Sequence, residues 1–90
     1  MITSITIADL LQRERIILRR LRTGPLTEFE LTAELAQHAG FSANDATEQI
    51  GSWLEKLAEQ GFIWTGKLHN RRGQWIRAAA LTRQGKKLVA

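Results

Sequence analysis

Residues 42 to 81 admit few folds. From Asn44 to Gln60 the apolar residues Ala46, Ile50, Trp53, Leu54 and Leu57 recur at i, i+4, i+7, i+8 and i+11, the spacing of one face of an α-helix. Ser42 stands where an N-cap hydroxyl accepts an orphan backbone N–H. Asp45, three residues on, takes the place of a capping-box partner, although it is shorter than Glu. Gly61 ends the helix, because glycine takes the left-handed conformation at little cost. Phe62, Ile63 and Trp64 then open a strand, Asn70-Arg71-Arg72-Gly73 forms a tight turn, and Gln74 to Leu81 is the returning strand. A helix that runs directly into an antiparallel ribbon must bury its apolar stripe against further elements, and the rest of the chain supplies them.

Ile2, Ile5 and Ile7 alternate with polar residues, as in a short strand or an arm. From Ala8 to Leu21 the pattern is helical, with Leu10, Leu11, Ile17, Leu18 and Leu21 on one face. Arg15, Arg19 and Arg22 form a row on the opposite face, read first as solvated and second as a contact for an acidic partner. Glu14 falls inside the apolar stripe and is expected at its edge, paired with a neighbouring arginine. Thr23-Gly24-Pro25 breaks this helix. Thr27 and Glu30 then form a capping box, and Leu26 and Leu31 a hydrophobic staple, opening a second helix that continues to Ala39 and stops at Gly40. Two helices joined by a tight glycine-containing turn make a helix-turn-helix. After the ribbon, Thr82 caps a final helical turn that Gly85 is expected to keep short. The fold class is therefore mainly α with a small antiparallel β-hairpin, a single domain over residues 1–90. Leu18, Leu21, Leu35, Ile50, Trp53, Leu54 and Leu57 are expected in one core.

Composition removes several function classes. At 90 residues and 43% hydrophobic content a single modest core is affordable. The absence of cysteine leaves neither disulfides nor thiolate metal ligands, which fits a reducing cytoplasm. No apolar run approaches the ~20 residues that span a bilayer, and Met1-Ile2-Thr3-Ser4 lacks the basic start of a signal peptide. A membrane partner is not expected. There is no phosphate-cradling glycine motif, and His38 and His69 are the only histidines, so neither a cofactor nor a metal is expected. Glu55 and Glu59 read as a solvated helix face rather than a catalytic pair. Trp53 belongs to the apolar stripe, while Trp64 and Trp75 flank the ribbon, where they are expected to pair across it. The chain does not read as an enzyme.

Charge is segregated along the chain. Residues 1–25 carry Arg13, Arg15, Arg19, Arg20 and Arg22 against Asp9 and Glu14. Residues 26–61 carry Lys56 against Glu28, Glu30, Glu34, Asp45, Glu48, Glu55 and Glu59. Residues 62–90 carry Lys67, Arg71, Arg72, Arg77, Arg83, Lys86 and Lys87 with no acid. A polyanion should meet the last third first.

The order helix, helix-turn-helix, ribbon resembles the winged helix-turn-helix superfamily, with a three-helix core, a two-stranded wing and a short C-terminal helical turn. Leu57-Ala58-Glu59-Gln60-Gly61-Phe62-Ile63 is similar to the end of the recognition helix in MarR-like and ArsR-like regulators. Leu81-Thr82-x-x-Gly85-x-x-Leu88 is similar to the segment after the wing in MarR- and PadR-type proteins. The resemblance covers Ala8 to Leu88, and the short chain is also similar to small winged-helix proteins of Mu-like prophages. It implies a small transcriptional regulator that binds double-stranded DNA, with the third helix directed at the major groove. Here that helix presents Asn44, Asp45, Glu48, Ser52, Glu55 and Glu59. Asn44, Gln49 and Ser52 can hydrogen-bond base edges, and Lys56 is its one cation. The wing carries Lys67, His69, Asn70, Arg71, Arg72 and Arg77, suited to phosphate contact or a minor groove. DNA contact is thus expected chiefly through the wing. The alternative reading is a protein-interaction module that docks through the acidic face of the third helix and the Arg15/Arg19/Arg22 row, including docking between two copies as a homodimer.

Overall fold

The computed structural model describes residues 6–38 and 40–90, so the alternation at Ile2 and Ile5 lies outside the described residues. Among the described residues there are four α-helices, α1 (Gln12–Arg20), α2 (Glu28–Ala36), α3 (Ala43–Glu59) and α4 (Arg83–Leu88). The strands are β1 (Leu26–Thr27), β2 (Ile63–His69) and β3 (Trp75–Leu81). They make one antiparallel sheet in the order β1-β3-β2.

α3 carries the organisation read from the sequence. Its Ala46, Ile50, Trp53, Leu54 and Leu57 are all buried. They join Leu18, Leu21, Leu31 and Leu35 from the preceding helical segments in one hydrophobic cluster. Ser42 Oγ accepts the Asp45 N–H at 3.1 Å. The Asp45 carboxylate returns no bond to the Ser42 amide, being one methylene shorter than Glu. At α2 the box is complete: Thr27 Oγ1 accepts from the Glu30 N–H, and Glu30 Oε1 accepts from the Thr27 N–H, each at 3.3 Å.

The start of the chain departs from the expected helix over Ala8–Leu21. Ile7–Asp9 forms a single 3₁₀ turn, Leu10 and Leu11 are extended, and α1 begins only at Gln12. Two carboxylates set this break. Asp9 accepts from the Thr6 N–H and hydroxyl at 2.9 and 3.1 Å, bonds that hold it below the usual carboxylate range, the backbone one foremost. Glu14 Oε1 accepts from the Leu11 N–H at 2.9 Å. Glu14 is therefore not at the edge of the stripe beside an arginine. It is 4% exposed, has no ion pair among the described residues, and serves as the reciprocal cap of α1. The break also turns Leu11 outward. Leu21–Thr23 is again 3₁₀, so Arg22 leaves the helical row of Arg15 and Arg19.

The sheet contains a strand that the sequence did not announce. Leu26 and Thr27 pair with Ala79 and Ala78, converting the expected two-stranded wing into a three-stranded sheet at its base. In β2, Ile63 is buried and Trp64 to His69 are exposed, so the hairpin projects and the molecule is 48 Å long against 27 and 21 Å across.

α4 is short, as expected, at 6 residues, and Gly85 has a packing role besides. It is buried in the first turn of α4, and an added Cβ would clash with the Phe62 carbonyl oxygen. Thr82 Oγ1 donates to the Gly61 carbonyl at 2.6 Å while accepting from the Gly85 N–H at 3.1 Å. The glycine lets α4 close on the junction between α3 and β2. Gly85→Ala should therefore destabilise the protein by about 1–3 kcal/mol through overpacking, despite alanine's higher helix propensity. Urea unfolding monitored by circular dichroism measures this difference.

Candidate nucleic-acid interface

The register of the hairpin decides what each face of the wing presents. Ile63, Thr65, Lys67 and His69 lie opposite Leu81, Ala79, Arg77 and Trp75. Successive residues of a strand alternate between faces, so these eight share one face, buried at its root in the core. Trp64, Gly66 and Leu68 lie opposite Ala80, Ala78 and Ile76 on the other face. Trp64 and Trp75 thus do not pair across the ribbon as expected. Trp75 instead meets His69, with ring centroids 3.9 Å apart.

The turn is held by its own side chains. Asn70 Oδ1 accepts from the Arg72 and Gln74 N–H groups, both at 2.9 Å, and Asn70 Nδ2 donates to Gln74 Oε1 at 3.0 Å. Gly73 closes the turn at φ +74°, a conformation that favours glycine. Asn70 is consequently spent on shaping the tip. Arg71 and Arg72 beside it are exposed, as is Lys67. None of these three forms an ion pair among the described residues. The tip therefore offers two adjacent guanidinium groups on a stiffened turn, with the exposed Trp75–His69 pair at its edge.

Arg77 is placed differently from the other cations of the wing. Its Nη1 donates to the Gly51 carbonyl of α3 at 2.9 Å, and its Nη2 lies 3.5 Å from Glu55 Oε1. A Cβ on residue 51 would stand 2.8 Å from that Nη1. Gly51 in the middle of a helix costs about 1 kcal/mol relative to alanine, and its bare backbone leaves room for the guanidinium beside the Gly51 carbonyl. Arg77 is a tie between wing and helix, a role that the charge pattern alone did not reveal. The midhelix position of Gly51 was the available signal.

On α3, Asn44, Gln49, Ser52 and Lys56 are all exposed, together with Asp45, Glu48, Glu55 and Glu59. The hydrogen-bonding groups named from the sequence therefore share an open surface with four carboxylates. The structure brings Lys67 and Arg77 together across the hairpin and Arg71 and Arg72 together at its tip. The α3 residues form a separate surface, joined to the wing through Arg77 and Glu55. Arg20 and His38 approach Glu34 at 3.8 and 3.7 Å on the α1–α2 side.

No protein-family model and no curated protein matches the chain. Among solved structures it is similar to that of TA0346 from Thermoplasma acidophilum, a candidate transcriptional regulator. The two are 23% identical with a TM-score of 0.69, and the match covers 86% of this chain and 72% of that one. The likeness is one of fold. Among the described residues no helix is long and apolar enough to cross a membrane.

Removing the tie should be felt in stability. Arg77→Ala should cost about 1–2 kcal/mol, because a charged hydrogen bond to a partly buried carbonyl is lost. Glu55→Gln should cost less than about 1 kcal/mol, since Glu55 is the exposed partner of that pair. Thermal unfolding of the two variants beside the parent gives the comparison.

Proposed function

We propose that the chain is a DNA-binding transcriptional regulator of the winged-helix type, a binding protein rather than an enzyme, working in the cytoplasm. It engages double-stranded DNA chiefly through the tip of its wing. The observation that carries this reading is the exposed Arg71–Arg72 pair on a turn rigidified by Asn70 and Gly73. The braced turn fixes the backbone that carries them, and each guanidinium can make bidentate contacts with a phosphate. The fold shared with a candidate regulator supports the class. The acidic outer surface of α3 restrains deep entry of that helix into a groove, since Glu48 and Glu55 repel phosphates. Recognition is therefore weighted toward the backbone, which positions a protein without reading sequence.

A second reading follows from the same α3 surface. Asp45, Glu48, Glu55 and Glu59 are all exposed, and such a row fits a basic protein partner as readily as it disfavours DNA. The two readings respond oppositely to one experiment, fluorescence anisotropy of labelled random duplexes at two salt concentrations. Under the DNA reading, Arg71→Ala with Arg72→Ala weakens binding to all sequences by similar factors. The slope of log affinity against log salt falls by roughly 1–2, at about 0.9 per phosphate neutralised, and the fold survives because both residues sit on an exposed turn. Absence of duplex binding by the parent protein at low salt, or indifference to the double substitution, would contradict it.

A further inference from the structure

The wing has a second surface that DNA contact through its tip leaves unused. β2 is an edge strand, since the sheet order is β1-β3-β2. The Asn70 N–H donates to the Gln74 carbonyl, and the Thr82 N–H donates to the Phe62 carbonyl, at the two ends of the ladder. With the register fixed, residues 62, 64, 66, 68 and 70 are the ones that bond toward β3, because bonded pairs alternate in an antiparallel ladder. The N–H and C=O groups of Ile63, Thr65, Lys67 and His69 therefore point outward from the free edge. The face beside this edge, turned away from α3, is apolar and uncharged: Trp64, Gly66 and Leu68 on β2, with Ile76, Ala78 and Ala80 on β3. Trp64 is 69% and Leu68 54% exposed.

We propose that β2 is a self-recognition edge, pairing antiparallel with β2 of a second copy about a twofold axis at Gly66. A row of outward N–H and C=O groups is matched only by another extended strand, and this strand matches itself. With Gly66 on the axis, Ile63, Thr65, Lys67 and His69 face His69, Lys67, Thr65 and Ile63 of the second copy. These are the outward-pointing residues, so every bonded pair forms. Trp64 then lies across from Leu68 of the second copy in the closer, non-bonded type of pair, which brings the two apolar side chains together twice. No like charges stand opposite each other. Moving the axis to Lys67 would set two lysines face to face, and moving it to Thr65 would leave Trp64 opposite a glycine. Two large side chains and one strand edge bury on the order of 400 Å² per copy, about half of a standard stable interface. The dimer is therefore weak and concentration-dependent.

Sedimentation equilibrium from about 10 µM to about 1 mM, the range that resolves weak association, tests this directly, with no DNA present. The parent protein should dimerise reversibly. Thr65→Pro should give a folded monomer, since the Thr65 N–H is not used by β3 and proline is tolerated on such an edge. Two further substitutions read the register and do not depend on proline folding. Thr65→Asp sets a carboxylate opposite Lys67 of the second copy at two symmetric places and should tighten the dimer roughly two- to thirtyfold. Thr65→Lys should weaken it by a similar factor. A parent protein that stays monomeric at the highest concentration, a dimer unaffected by Thr65→Pro in a folded protein, or a dimer weakened by Thr65→Asp would overturn the proposal. None of these results depends on whether the wing tip binds DNA.

Discussion

Burial of the apolar stripe of α3 is the interaction on which the rest of the molecule depends. Ile50, Trp53, Leu54 and Leu57 are each no more than 9% exposed, and side chains of this size contribute about 1.5–3 kcal/mol apiece when removed from water. α3 packs against α2 on one side and the root of β2 on the other, so the same stripe holds the helical core together and fixes where the hairpin begins. Gly61 at φ +84° makes the turn between them, and Thr82 and Gly85 seal it from the far side. Because all the large apolar side chains of α3 turn inward, the outward surface of that helix is mostly polar and acidic.

The hairpin inherits three chemically different surfaces from this geometry. One face turns toward α3 and is tied there by Arg77 to Gly51 and Glu55. The tip carries the cations with no acid nearby in sequence. The opposite face is uncharged and apolar. The period of two along each strand and a fixed register suffice to create this division, since a slip of β2 by one residue would turn Lys67 to the opposite face and bring Trp64 and Leu68 toward α3.

The start of α2, the whole of α3, the glycine stop after it and the position of the turn were legible in the sequence, because N-caps, 3.6-residue spacing and Asn-x-x-Gly are local signals that packing reinforced; α2 itself ends at Ala36, short of the expected Ala39. What was not legible required knowledge of contacts distant in sequence. The two-residue β1 is too short to show a period and exists only because β3 lies beside it. Gly51 and Gly85 look like helix weaknesses until Arg77 and the Phe62 carbonyl are placed against them. The break before α1 comes from carboxylates that reach back to backbone amides, and the apolar stripe over Leu10 and Leu11 concealed it. Of the site residues, Lys67, Arg71 and Arg72 stand exposed on the wing as the charge pattern indicated. Arg77 and Asn70 carry the same residue types that suggested nucleic-acid contact, yet the fold employs them as a tie and a turn brace.

Under the proposed function the wing tip, and not the outer surface of α3, meets the DNA backbone. Titration of isotopically labelled protein with a short random duplex, followed by two-dimensional ¹H–¹⁵N NMR, tests it residue by residue. The account predicts that the backbone amides of Arg71, Arg72 and Gly73, with Lys67 and Trp75 beside them, shift first and most. It predicts that those of Glu48, Ser52 and Glu55 move little. Shifts concentrated on α3, or centred on α1 and α4 with the tip unperturbed, would contradict it.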